Sequence, residues 1–216
     1  MTNDVERDAL DYWISQIGET NKHAVEFGAG DPSRGEQVTS RLAENGWNCH
    51  WWDRDPLPTD DGFPGIHGEC IEPDSINETF VRHGVPQNVD VCVIDIDGND
   101  YWVWQALTFE PRIVLIEYNP YFSLEKSLSM RYTPNYRYDH RTIKFGATYS
   151  ALKSLGERKG YRLVEDVAYG SLLFVLDSFD VVSRLVTPTL PPKEGTPGKL
   201  LYKMDAPWSS DDFEEV

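Results

Sequence analysis

Short apolar runs alternate along this chain with stretches in which apolar residues recur every three or four positions. The first periodic stretch, residues 4–18, places Val5, Leu10, Trp13, Ile14 and Ile17 on one helical face and stops at Gly18. HAVEFGAG follows as a buried strand with a tight turn. GEQVTSRLAENG then has amphipathic helical spacing, with Val38, Leu42 and Ala43 inward and Gly46 as its cap. WNCHWWDRDP is a second strand and GIHGECI a short third one. SINETFVRHG is a helix in which Ser75 and Glu78 have capping-box spacing. DVCVIDID, NDYWVWQALT, RIVLIEYNP and ATYSALKSLGERKG continue as strand, helix, strand and helix. YRLVEDV and SLLFVLD end the pattern, with only AYG between them.

Strands that alternate with helices predict a parallel sheet covered on both faces. The last two runs break the rule, because parallel neighbours need a crossover of a dozen or more residues. They must form an antiparallel hairpin. The expected fold is therefore α/β: a Rossmann-like, seven-stranded, mostly parallel sheet with an antiparallel C-terminal hairpin strand and helices on both faces. Residues 1–21 are expected as an N-terminal helix and 22–186 as the α/β domain. Residues 187–216 read as a Pro/Gly-rich, acidic, extended tail, with Leu200, Leu201 and Trp208 available to dock.

Composition narrows the class. With 216 residues, 40% of them hydrophobic, the chain suits one globular domain. No run is long and apolar enough to span a bilayer, and MTNDVERDALDYW lacks the pattern of a signal or transit peptide. The expected location is the cytoplasm. Cys49, Cys70 and Cys92 form no CxxC pair, and the five histidines show no zinc-ligand spacing. A net charge of −16 opposes a nucleic-acid partner and leaves small neutral or cationic substrates open.

Candidate chemistry gathers where strands end. In an open α/β sheet, ligands bind beyond the carboxyl ends of the strands. Glu26, Gly28 and Gly30 stand at the first such end, and Asp53 closes the second strand 23 positions after Gly30. A carboxylate there can accept both ribose hydroxyls of an adenosine. The row GAGDPSRG puts its third glycine two places late for a dinucleotide fingerprint, and Glu26 and Asp31 would repel a pyrophosphate. A cationic sulfonium suits these acids better than a nicotinamide dinucleotide does.

The order of VEFGAG, WWDRDP, VCVIDIDGNDYW, RIVLIEYNP, KFGATYSALKSLGERKGYRLV and SLLFV resembles class I S-adenosylmethionine-dependent methyltransferases, and more narrowly their FkbM-like branch. The resemblance covers residues 22–177 and rests most on pairing IDIDGNDYW with IEYNP. DPSRGEQ departs from the usual Asn/Asp-Gly turn after the second glycine. The resemblance implies S-adenosyl-L-methionine as cofactor, with Glu26, Gly28, Gly30, Asp53 and Asp95 as its binding set. The implied activity is O-methylation of a small molecule.

Asp95 and Asp97 on the fourth strand share a face by period-two alternation, as do Glu117 and Asn119 on the fifth. Asp97 is a candidate general base whose pKa burial or Asp95 would raise. A second reading has Asp97, Glu117 and Asn119 holding Mg2+ against a substrate oxygen. A third assigns Asp95 and Asp97 to ordering their loop, with Asp100 at a helix start. Residues 119–142 form a long aromatic insertion expected over the pocket. Within it, Tyr121 and Tyr138, with Asn119, are the candidate substrate contacts. His140 joins Asp97 and Glu117 as the candidate catalytic set. A non-catalytic module binding an adenosyl ligand or a sugar is the alternative to an enzyme, and a nicotinamide oxidoreductase is the least favoured reading.

Overall fold

The computed structural model describes residues 3–31, 35–54, 66–167, 170–185 and 209–216. In chain order the elements are α1 (Asn3–Ile17), β1 (His23–Phe27), α2 (Ser40–Glu44), β2 (Asn48–Asp53), β3 (His67–Gly68), α3 (Ile76–Arg82) and β4 (Val91–Ile94). They continue with α4 (Asp100–Ala106), β5 (Ile113–Glu117), β6 (Leu128–Met130), α5 (Tyr149–Arg158), β7 (Tyr161–Val167), β8 (Ser171–Leu176) and β9 (Phe213–Glu215). Seven strands form one sheet in the order β3-β2-β1-β4-β5-β8-β7. β8 runs antiparallel to both β5 and β7, and every other pair in that sheet is parallel. The hairpin expected from the three-residue gap is thus present, and the fold is Rossmann-like.

Period-two alternation divides the core cleanly. Val25, Phe27, Cys92, Ile94, Val114, Ile116, Leu172 and Phe174 pack on one face with residues of α3, α4 and α5. Ala24, Val91, Val93, Ile113, Leu115, Leu173 and Val175 pack on the other with Leu10 and Trp13 of α1 and with Val38 and Leu42. Burial of apolar surface on both faces is the main driving force for the sheet. One buried ion pair ties the far edge: Asp90 accepts from Arg112 at 2.7 Å and from the backbone amides of Thr20, Asn21 and Lys22. Arg112 also reaches the carbonyls of Ile17 and Gly18, which fixes the end of α1 beside the start of β1.

Several boundaries differ from the sequence reading. The helix expected over residues 35–46 shortens to Ser40–Glu44, because residues 38 and 39 are held in a turn by Glu26. Ser75 makes no capping bond to α3; its own backbone is already helical, and its hydroxyl turns back to the Glu72 carbonyl. Inside the long insertion, β6 pairs antiparallel with β9, forming a separate two-stranded sheet. Residues 209–216 carry a short 3-10 turn capped by Ser209 and then β9, so they join this second sheet. The expectation for Leu200, Leu201 and Trp208 falls outside the described residues.

Candidate functional site

Sheet order dictates where a crevice opens. From β1 the chain moves outward through β2 and β3, then returns to the other side of β1 with β4. The strand order therefore reverses between β1 and β4, and open α/β sheets bind ligands beyond the carboxyl ends of the strands at such a switch point. A cavity of 470 Å3 lies there, bounded by Gly28, Gly30 and Asp53 on one side and by Asp95, Asp97 and Asn99 on the other. Tyr136, Arg137, Tyr138 and His140 of the insertion form its roof.

The first wall is built by close backbone approach. Gly28 has φ +71, and a Cβ there would lie 1.6 Å from the Asp95 carbonyl oxygen. Only glycine lets the ends of β1 and β4 meet so tightly. Asp53 reaches across from β2 and accepts from the Gly30 amide at 3.0 Å. Both residues face the cavity.

Glu26 does something else. Its Oε1 accepts from the Val38 amide at 2.7 Å, and its Oε2 accepts from the Thr39 amide and hydroxyl at 2.9 and 2.6 Å. It is not among the cavity-lining residues. Burial pushes its pKa up to about 7, although these bonds pull the other way. The carboxylate anchors the segment that follows the glycine turn.

The acids at the other wall divide into two groups. Asp100 is fully buried, and its oxygens accept from the Ile96 and Gly98 amides at 2.8 Å each. It shapes the loop, and burial raises its pKa to about 6. Between those amides sits Asp97, in the left-handed region at φ +53, a conformation Asp tolerates better than most residues. Strand pairing stops at Ile94, so the period-two relation expected between Asp95 and Asp97 does not extend through the loop. Even so, one carboxylate oxygen each from Asp95, Asp97 and Glu117 lies within 4.8 Å of the others. Asp95 is open to the cavity yet deep within it. Glu117 Oε2 is shielded from solvent and has no hydrogen-bond partner among the described residues. Burial first, then the charges of neighbouring acids, holds both the Asp95 and Glu117 carboxyls well above the usual carboxylate range.

Asn119 is tied to the chain beyond the insertion. Its amide donates to the Ile143 and Phe145 carbonyls at 2.8 and 2.9 Å and accepts from the Tyr121 amide at 3.1 Å. Both N–H donors are thus used within the chain, and Asn119 is not among the cavity-lining residues. Tyr121 packs edge-on against Phe145, away from the cavity lining. Tyr138 and His140 do line it, with ring centroids 4.7 Å apart, and the Tyr138 hydroxyl donates to the Thr142 carbonyl.

The roof is pinned from three sides. Arg54, directly after Asp53, donates to the Asn135 and Tyr136 carbonyls. Asn99 forms a two-way bond with the Thr133 backbone, at 2.9 Å to its carbonyl and 3.2 Å from its amide. Trp102 donates to the Met130 carbonyl at 2.7 Å. Tyr136 lies so close over Gly98 that a Cβ there would meet its ring at 2.6 Å. Sequence reasoning missed Arg54 and Asn99, although both stand directly beside acids it had singled out. Glu69 and Cys70, which also border the cavity, follow a third strand of only two residues.

No protein-family model matches this chain, and no curated protein matches it in sequence. Among the described residues, no helix is long and apolar enough to cross a membrane.

Proposed function

We propose that this chain is a cytoplasmic S-adenosylmethionine-dependent methyltransferase acting on an oxygen of a small molecule. The observation that carries the reading is the pairing of two walls across one crevice. Asp53 and two close-packed glycine turns stand on one side, and an acid cluster faces them on the other. The 470 Å3 cavity falls in the size range of small-molecule and cofactor sites, about 300–1,000 Å3. Its acids suit a cationic sulfonium and disfavour a pyrophosphate. The residues present thus fit the group.

Asp53 would accept from the ribose hydroxyls, and the backbone at Gly28 and Gly30 would admit the ligand closely. S-adenosylmethionine, when bound, supplies an electrophilic methyl carbon. Asp97, in its left-handed loop, would take the proton from an acceptor hydroxyl. Tyr136, Tyr138 and His140 would exclude water and orient the acceptor beneath the roof.

Calorimetric titration with S-adenosylhomocysteine tests the reading. Saturable binding is expected, weakened at least tenfold by Asp53→Ala. An absence of heat at millimolar ligand would remove the proposal. A label-transfer assay on alcohols, phenols and carboxylic acids then separates an enzyme from a binding module.

A further inference from the structure

We propose that Glu72, acting with Arg54, is a positioning residue that latches the roof over the cavity and lets go when a ligand enters or leaves. The latch rests on the hydrogen bonds themselves, and only the identity of the ligand rests on the methyl-transfer reading.

The roof has two unequal attachments. Met130 and Ile143 lie in a buried apolar cluster with Phe122 and Phe213. Among the described residues, none of 131–135 joins an apolar cluster, and Tyr132 and Asn135 are exposed. Hydrogen bonds hold this stretch instead. Besides the Asn99 bonds to Thr133, a closed ring runs through Asn135. The Asn135 amide donates to Glu72 Oε1 at 2.7 Å, and its carbonyl accepts from Arg54 Nη1 at 3.2 Å. Arg54 Nη2 donates to Cys70 Sγ at 2.7 Å, and that thiol donates to the same Glu72 oxygen at 3.3 Å. The other Glu72 oxygen accepts from the Tyr132 hydroxyl at 3.2 Å.

Such a ring suits a reversible catch. A carboxylate on an N–H and a guanidinium on a carbonyl make charge-assisted bonds, stronger than neutral ones. The bonds to Asn135 and Tyr132 face solvent, so water can replace each of them when it breaks. Segments held in this way open locally, well short of global unfolding. The catch itself is fixed, because the Glu72 carbonyl accepts from the Ser75 and Ile76 amides at 3.1 and 3.0 Å. Arg54 directly follows Asp53, so the ligand-facing end of β2 and the roof meet in two consecutive residues. Arg54 and Cys70 line the cavity, whereas Glu72 does not. Glu72 therefore acts on a ligand through the roof, where Tyr136 and Tyr138 follow Asn135.

The test uses the whole chain without ligand and follows amide hydrogen exchange by mass spectrometry. Glu72→Ala should speed exchange across residues 136–142 by about tenfold or more, as expected from losing a charge-assisted bond. Peptides from β1, β4 and β5 should exchange as in the unaltered protein. Glu72→Gln keeps an acceptor oxygen and should restore most of the protection. Arg54→Met opens the same ring, should match Glu72→Ala, and serves in its place should that variant show no cooperative melt. In stopped-flow displacement, S-adenosylhomocysteine should leave Glu72→Ala faster by a similar factor. Three results would overturn the latch: unchanged exchange over residues 136–142 in a folded variant, faster exchange spread evenly over the sheet, or bound S-adenosylhomocysteine leaving at the unaltered rate. Should the unaltered protein bind no S-adenosylhomocysteine, the methyl-transfer reading falls and hydrogen exchange alone decides the latch, so the two failures are distinguishable.

Discussion

Glu26 and Trp51 lie opposite one another in the parallel register of β1 and β2, and both side chains end on Thr39. Trp51 Nε1 donates to the Thr39 hydroxyl at 2.7 Å, and that hydroxyl donates onward to Glu26. Two adjacent strands thus hold the segment leading into α2 through one buried threonine.

Breaking this chain of bonds should destabilise the fold. Glu26→Gln replaces an acceptor oxygen with a donor group facing N–H donors, and Thr39→Val strands the Trp51 indole. Each is expected to cost about 1–3 kcal/mol in urea denaturation. The double variant should lose less than the sum, since both changes empty the same network.

Gly28 and Gly18 make a paired test of backbone conformation against space. Both have positive φ, +71 and +73, but only Gly28 has an atom in the way of a Cβ. Gly18→Ala should cost about 1–2 kcal/mol, the strain of the left-handed region. Gly28→Ala must also push β1 away from Asp95, and should cost more than about 4 kcal/mol, seen as loss of soluble folded protein. Equal melting temperatures for the two variants would contradict this account.

Histidines on the β2 edge set a pH dependence. His50 lies 3.1 Å from the His23 ring nitrogen, and burial, then His23, His67 and His83, lowers its pKa to about 4. In the unfolded chain it titrates near 6.5. Between these values the unfolded chain binds a proton that the folded one refuses. The stability is therefore present above pH 6.5 and is lost as pH falls towards 4. The crowded carboxyls of Asp95 and Glu117 act in the opposite sense, because their pKa values are raised. Comparison with His50→Gln isolates the histidine: the unaltered protein should lose more stability than the variant between pH 7.5 and pH 5.

The second sheet gives a prediction about the roof. Phe213 of β9 is buried against Phe122, with ring centroids 4.8 Å apart, and against Met130. Phe213→Ala should leave the seven-stranded sheet cooperative but speed chymotrypsin cleavage within residues 121–138. Ligand binding in the cavity should weaken with it. Unchanged cleavage would mean that β9 contributes little to holding the roof.

The main sheet was legible because its signals are local or periodic. The three-residue gap after YRLVEDV forced the hairpin, and alternating apolar residues in VCVI and IVLIE assigned both faces. The site was legible only in part. Asp53, Gly28, Gly30, Asp95 and Asp97 could be placed at strand ends, and strand ends meet where topology dictates. What the side chains do there depends on partners far along the chain. Glu26 looks like a ligand contact until the amides of residues 38 and 39 reach it, and Asn119 looks like one until residues 143 and 145 claim it. β6 escaped notice because three residues carry no measurable period, and its partner lies some 85 positions away, at residues 213–215.

That long separation has a consequence for how the molecule is made. Every strand of the main sheet has been translated by residue 176, whereas the partner of β6 comes at residues 213–215. During synthesis the crevice floor can form first, and loop closure over so many residues delays its cover. A nascent chain at that stage holds Asp53 and Asp95 under a cover not yet fastened, which is when a small ligand would have its widest way in.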